Sequence, residues 1–323
     1  MGKMIDGTWH AGKVTEDSSG GSFKRQDAGF RDMIAADDAP DRDGRRTHPA
    51  ARDRYHLYVS YACPWAHRTL IVRALKGLEN LLPVSVVDPE MLENGWTFDT
   101  RHGGTGDPLY GSRFLHELYA RARPDYTGKV TVPVLWDRKR ETIVSNESAE
   151  IIRMLNHAFD DLGAAPGDFY PEALRAEIDA INDPVYDHVN NGVYKAGFAT
   201  TQAAYEAAVD PLFATLDELE QRLASREWLV GDRITEADIR LFTTLVRFDA
   251  VYHGHFKCNR RRIQDYPALE AFLERLLAIP EIAATVHLDH IKTHYYASHR
   301  DLNPFGIVPV GPDLPWAGLV ASA

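Results

Sequence analysis

Apolar positions change their period along the chain, and the changes mark its elements. Tyr55 to Val59 is a short run of Tyr, Leu and Val that predicts a strand. Beyond Pro64 the apolar residues Leu70, Ile71, Ala74 and Leu75 fall on one face of a helix over 64–76. Leu82 to Asp88 predicts a second strand. Periodicity then lapses from Pro89 to Gly128, apart from one short helix around Phe114 to Arg121, and so long an irregular stretch reads as an insertion or a functional loop. Val132 to Asp137 predicts a third strand, with Thr142-Ile143-Val144 as its hairpin partner. Ser145-Asn146-Glu147-Ser148 then caps a helix over Ala149 to Asn156. This order, β-α-β followed by β-β-α, is that of a thioredoxin-type domain.

Past a Gly/Pro-rich link (163–171) the period is helical throughout. Glu172 to Asn190 predicts one long helix or a kinked pair, with Pro184 as the break. Asp210-Pro211 reads as a cap and a helix start ahead of Leu212, Leu216, Leu219 and Leu223. Thr235-Glu236-Ala237-Asp238 has the form of a capping box, with Ile234 and Ile239 as its staple. A last helix runs from Pro267 to Ile279 and stops at Pro280. The two ends lack period. Residues 1–50, with segments such as Glu16-Asp17-Ser18-Ser19-Gly20-Gly21, read as an extended arm pinned by Phe23 and Phe30. The tail over 303–323 reads as extended over the surface. The expected organisation is an arm (1–50), an α/β thioredoxin-like domain (51–162) with an insertion near 89–128, and an all-α domain (163–323).

Composition narrows the function. The chain has 323 residues, 44% of them apolar and 26% charged, as expected of a soluble protein. A net charge of -11 argues against nucleic acid as a partner. The basic clusters Arg138-Lys139-Arg140 and Arg260-Arg261-Arg262 read as a hairpin turn and a solvated helix end. Two cysteines exclude a disulfide framework and fit a reducing cytoplasm. No run resembles a secretion signal or a membrane span.

One of those cysteines carries candidate chemistry. Cys63 stands between a strand and a helix, with Pro64 suited to the first helical position. The helix dipole and the unpaired N–H groups there stabilise an anion, which for a thiol means a thiolate at neutral pH. Ala66 replaces the second cysteine of a C-x-x-C pair, so Cys63 would act alone and need an external thiol to resolve it. The alternative is a buried structural cysteine.

Four pieces together resemble the cytosolic glutathione transferases: Cys63-Pro64-Trp65-Ala66-His67-Arg68, Val132-Pro133 before a strand, Asn146-Glu147-Ser148, and the capping box after Leu229-Val230-Gly231-Asp232. Cysteine at the active position is similar to the omega-type branch. The full wording of 58–68, Asn94-Gly95-Trp96, the run 191–199, the run from Arg247-Phe248-Asp249 to Cys258-Asn259, and Tyr295-Tyr296 near Asn303-Pro304 resemble the glutathionyl-hydroquinone reductases, the xi class. The match covers about 50–310.

That resemblance implies glutathione as co-substrate, no metal, a homodimer, and a role for particular residues. Cys63 would be the nucleophile. Val132, before a cis Pro133, would pair with the cysteinyl part of glutathione. Glu147 and Ser148 would hold its γ-glutamyl end, Lys129 its glycyl carboxylate, and Trp96 would cover it. Tyr194 and Tyr295 would bind the hydroquinone hydroxyls, with Tyr296 as the neighbour of the second. His67 and Cys258 would be structural. The implied reaction releases a free hydroquinone, in some members a chlorinated one, from its glutathione conjugate. Rival readings are an omega-type thioltransferase or dehydroascorbate reductase, a glutathione-dependent lyase, and a non-catalytic module of the same fold.

Overall fold

In the computed structural model, which describes residues 2–13, 18–35 and 43–321, the first fifty residues supply four short strands. β1 (Lys3–Ile5) and β2 (Thr8–His10) pair antiparallel across Asp6-Gly7, both at positive φ (47° and 77°). Asp-Gly is the chemistry a two-residue hairpin asks for. β3 (Met33–Ala35) and β4 (Thr47–Pro49) pair in parallel. The segment reads as loop in the sequence because three-residue strands are too short to show a period, and it is also tied to residues far along the chain. Met4 exchanges backbone bonds with Gly128 at 2.8 and 3.0 Å. Glu16 and Asp17 lie outside the described residues. Phe30 is buried, edge-on to Tyr119 and 5.3 Å from the Tyr126 ring.

The elements that follow are β5 (Tyr55–Val59), α1 (Pro64–Leu75), β6 (Val84–Val86), α2 (Leu115–Ala122), β7 (Val134–Asp137), β8 (Thr142–Ser145) and α3 (Ser148–His157). Their sheet runs β6-β5-β7-β8, with β5 and β6 parallel and β7 antiparallel to both neighbours. β5 lies inside this sheet, and each of its five residues is buried, which is why it is apolar but for His56, whose ring meets the Ser85 hydroxyl at 2.9 Å. Neither edge of the sheet is bare. Thr105 donates its N–H to Val86 at 2.9 Å and accepts that of Val86 on its hydroxyl at 2.8 Å. At the other edge Asp32 N–H donates to the Val144 carbonyl at 2.9 Å, and Arg31 bridges Ser145.

Beneath the β7–β8 hairpin lies a buried ionic knot. The Asp137 carboxylate receives His48 Nδ1 at 2.7 Å, Arg54 Nη2 at 2.6 Å, and the N–H groups of Lys139 and Arg140 at 2.9 and 3.1 Å. His48 Nε2 meets Asp32 at 3.2 Å. These contacts belong to the first of two compact units, Met1–Val14, Gln26–Gly167 and His287–His294.

The second unit comprises Thr15–Arg25, Asp168–Val286 and Tyr295–Ala323. Its helices are α4 (Arg175–Pro184), α5 (Gly192–Gly197), α6 (Gln202–Leu223), α7 (Glu236–Arg247), α8 (Pro267–Leu277), α9 (Pro280–Ala283) and α11 (Ala317–Ala321); α10 (Leu288–Ser298) gives residues to each unit. α7 is central, with all twelve residues buried. Its capping box is closed by Asp238, which accepts the N–H of Thr235 at 2.7 Å and of Leu229 at 2.9 Å; burial pushes that carboxyl up to about 6. Pro184 ends α4, and the chain continues in wider, π-type turns to Asn190.

The expectations at Pro211 and Pro280 meet different outcomes. Pro211 does not start a helix: α6 begins at Gln202, capped by Thr201, whose hydroxyl accepts the Ala204 N–H, and runs through Asp210-Pro211 for 22 residues. An interior proline costs about 3 kcal/mol, but Ala208, Val209, Leu212, Phe213, Leu216 and Leu219 form one buried stripe that holds the helix together. Pro280 stops nothing that has not already ended, and opens α9 at its first position. The tail is extended through its Pro/Gly stretch, with Phe305 86% exposed, but Trp316 is buried and the chain closes in a short helix on α8.

Gly197 tests how tightly this unit is packed. A β-carbon there would fall on the Phe256 ring. Gly197→Ala should therefore destabilise by about 1–3 kcal/mol, although alanine is the better helix former. Denaturant unfolding of the variant checks this; an increase in stability would mean that Phe256 has room to move.

Candidate functional site

Cys63 is the N-cap of α1 and Pro64 its first residue. The Cys63 carbonyl accepts the N–H of His67 at 3.0 Å, and its own N–H donates to Ser60 at 3.1 Å. The side chain makes no capping bond, so the thiol is not spent on holding the helix. It is half-buried, and Sγ lies 3.6 Å from the Val132 carbonyl, to which it donates. The Val132-Pro133 bond is cis. Among the described residues the Val132 N–H meets no acceptor, so its backbone keeps a donor for a strand-like partner. His67 is fully buried.

The start of α3 differs from the expected cap. Glu147, not Asn146, is the N-cap: its carboxylate accepts the Ala149 N–H at 3.0 Å. Asn146 instead ties three segments together. Its Oδ1 accepts the Phe30 N–H at 3.1 Å, and its Nδ2 donates to Tyr119 and Thr131 hydroxyls at 3.1 and 3.0 Å. Ser148 is buried, with Arg68 Nη1 3.4 Å from its hydroxyl, and its N–H meets no acceptor among the described residues. An N–H and a hydroxyl at a helix N-terminus, backed by a buried guanidinium, suit a carboxylate.

Other expected residues of the first unit have definite surroundings. Trp96 is buried and stacks on His294 at 4.8 Å; His294 Nδ1 meets the Pro89 carbonyl at 2.9 Å. Lys129 is half-buried, its N–H donating to Gln26 Oε1 at 3.1 Å and its carbonyl accepting the Tyr126 hydroxyl at 2.9 Å.

In the second unit Tyr194 (α5) and Tyr295 (α10) meet hydroxyl to hydroxyl at 2.5 Å. Sequence reasoning missed a third member. Tyr252, in the wide turns after α7, is fully buried with its hydroxyl 2.9 Å from that of Tyr295. Only the fold brings it there; no local pattern sets it apart from a packing tyrosine. Arg247 was likewise read only as part of a run, yet it is fully buried and its charge acts on both Tyr252 and Tyr295. Tyr296 points elsewhere, donating to the Ala250 carbonyl at 3.3 Å. Cys258 is buried, and burial pushes its thiol far up, away from the reactive thiolate.

The comparisons agree on one kinship. The family model for the glutathione S-transferase N-terminal domain matches residues 62–158, and that for the C-terminal domain matches 202–275. The glutathionyl-hydroquinone reductase YqjG of Escherichia coli K12 is 58% identical over 313 residues, 97% of this chain and 95% of that protein. The glutathionyl-hydroquinone reductase PcpF of Sphingobium chlorophenolicum is 56% identical over 319 residues, 99% of each. The glutathione-bound structure of YqjG superposes with a TM-score of 0.90 at 56% identity, over 98% of this chain and 97% of that one. The glutathione S-transferase Xi of Phanerochaete chrysosporium does so with 0.84 at 54% identity, over 90% and 97%.

Proposed function

The chain belongs to the glutathionyl-hydroquinone reductases, the Xi class of the glutathione transferases, and from that premise we propose that it releases free hydroquinones from glutathionyl-hydroquinones with Cys63 as nucleophile. The observation that carries this reading is the thiol at the head of α1, held 3.6 Å from the carbonyl that precedes the cis proline.

An aryl thioether is a poor target for a thiolate, because the carbon is a poor leaving group. A hydroquinone offers a way out. Protonation of the sulfur-bearing ring carbon, with loss of a phenolic proton, gives a keto tautomer. Attack of the Cys63 thiolate on sulfur then breaks the carbon–sulfur bond and forms a Cys63–glutathione disulfide. The carbon's electron pair leaves as an enolate, which takes up a proton to become the hydroquinone. The phenols of Tyr194 and Tyr295 engage the ring oxygens and share that charge. A second glutathione thiolate opens the disulfide, leaving glutathione disulfide and the free thiol. The two electrons that reduce the ring thus come from two thiols.

In this reading Val132 pairs with the cysteinyl backbone, Glu147 and Ser148 take the γ-glutamyl end, Lys129 the glycyl carboxylate, and Trp96 walls the tripeptide. Residues 51–162 hold glutathione and 163–323 hold the ring, with 1–50 as an arm. The reading includes a homodimer in a reducing cytoplasm, and chlorinated rings among the substrates.

Glutathione-dependent hydroquinone release, assayed beside reduction of a small glutathione mixed disulfide, tests it. Release should be fast; disulfide activity alone would move the protein to an omega-type thioltransferase. Tyr194→Phe and Tyr295→Phe should each slow release by about tenfold or more while disulfide reduction holds. Equal losses in both assays would reduce the two tyrosines to packing.

A further inference from the structure

The β1–β2 hairpin is anchored on both of its strands, and each anchor lies beside a residue read above as a glutathione contact. On the first strand Met4, which is buried, exchanges backbone bonds with Gly128. At the turn the Gly7 N–H donates to the Tyr126 carbonyl at 3.1 Å, and the Asp6 N–H donates to the Thr127 hydroxyl at 2.9 Å. These bonds hold the chain as far as Lys129, whose carbonyl accepts the Tyr126 hydroxyl.

On the second strand Trp9 reaches the turn that leads into Trp96. Its Nε1–H donates to the Glu93 carbonyl at 2.9 Å, and its ring stacks on His116 of α2 at 4.9 Å, with the planes 11° apart. The indole fills the space a side chain on Gly95 would need: a β-carbon there would stand 2.8 Å from Trp9 Cη2. Gly95 also has a φ of 67°, so glycine is required on two counts. The turn closes through the Gly95 N–H on the Leu92 carbonyl at 3.0 Å, and the Trp96 carbonyl accepts the Leu115 N–H at 3.0 Å.

All of these residues belong to the first unit. Trp96 lies in the irregular stretch after β6 and Lys129 just beyond it, where α2 is the one regular element. A side chain on such a segment is placed only as well as its supporting contacts place it. Val132 and Ser148 are set differently, by the cis bond leading into β7 and by the first turn of α3.

We infer that the β1–β2 hairpin braces the glycyl end of the glutathione site, with Trp9 as a positioning residue that ties the turn carrying Trp96 to the segment carrying Lys129. The inference rests on the reading of Trp96 and Lys129 as glutathione contacts. It adds a selectivity that this reading does not contain. The brace serves the glycine of the tripeptide, so its loss is felt by glutathione and not by γ-glutamylcysteine, which lacks that glycine. Without Trp9 the turn keeps its own bonds but gains freedom that binding must then remove.

Calorimetric titration of wild type, Trp9→Ala, Trp9→Phe and Trp96→Ala with the two peptides tests this. Trp9→Ala should weaken glutathione about tenfold and γ-glutamylcysteine by no more than about twofold, the scale of one contact misplaced at one end of a ligand. Trp9→Phe keeps a ring for His116 and loses the bond to Glu93, so its effect should be smaller. In the release assay the KM for glutathione should rise in Trp9→Ala while kcat stays level, the mark of lost binding rather than lost chemistry. Wild-type glutathione affinity in Trp9→Ala overturns the inference. Equal weakening of both peptides overturns it too, because Trp9 then supports the fold at large. The parent reading fails separately. If Trp96→Ala binds glutathione as wild type does, Trp96 does not wall the tripeptide and both fall. If Trp96→Ala weakens binding and Trp9→Ala does not, the inference alone falls.

Discussion

Cys63→Ala should lower hydroquinone release by on the order of a thousandfold or more while glutathione still binds. The asymmetry follows from the geometry. The thiol is the only atom removed, and it contributes no capping bond to α1, so the helix start survives. The groups proposed to hold the tripeptide, the Val132 N–H and the hydroxyl and N–H of Ser148, belong to other segments and keep their places. Cys63→Ser sharpens the point. It restores shape and hydrogen bonding, but an alcohol gives almost no anion at neutral pH, so release should stay near that of the alanine variant. Calorimetric titration with glutathione and chromatographic detection of free hydroquinone measure the two halves. Turnover retained in both variants would remove Cys63 from the mechanism; lost binding together with lost turnover would mean that the residue holds the site together.

Asp137→Ala should cost about 3–5 kcal/mol, the scale of a buried ion pair left with one partner. Arg54 and His48 would keep their places without the carboxylate, and two backbone N–H groups of the hairpin would lose their acceptor. The pH dependence identifies the cause. Burial works against the charged form of His48, but hydrogen bonds to Asp137 and Asp32 outweigh it and raise its pKa above 6.5. A raised histidine stabilises fully below its unfolded value, and that contribution is lost as pH rises through the folded value. Asp137 has the opposite sign. Burial pulls its carboxyl up, hydrogen bonds from His48 and Arg54 outweigh this, and its pKa is held well below the usual carboxylate range. Its contribution is full above the unfolded value of about 3.9 and is lost only in strong acid. Urea unfolding of wild type at about pH 5 and about pH 9 should therefore show the His48 increment at the lower pH, and Asp137→Ala should show a smaller one, because only Asp32 then faces His48. A variant as stable as wild type at both pH values would mean that water replaces the knot without cost.

The order of elements was legible because it depends on local period. Tyr55 to Val59 is rich in Tyr, Leu and Val, as suits a strand buried on both faces, and Cys63-Pro64 and Thr235-to-Asp238 carry their own helix starts. What escaped was long-range. Residues 3–10 and 33–49 form strands too short to show a period, tied by Met4 and Asp32 to Gly128 and Val144 far along the chain, and only Asp6-Gly7 signalled a hairpin. Pro211 misled because punctuation is read locally, whereas the stripe that overrides it is read over the whole of α6. The site shows the same divide. Cys63 and Val132-Pro133 stand out in their own segments. Tyr252, Arg247 and the binding duties of Asn146 emerge only when the chain folds back on itself.

The two stretches that looked least structured, the arm and the insertion after β6, each lie along one border of the central sheet. A strand with an unmet row of N–H and C=O groups is a template for any neighbouring chain. These segments work as selvedges, finishing the weave so that it cannot be extended from either side. Trimming either one, as sequence-based boundaries invite, would leave the thiol and its helix in place but turn the domain into a nucleus for aggregation.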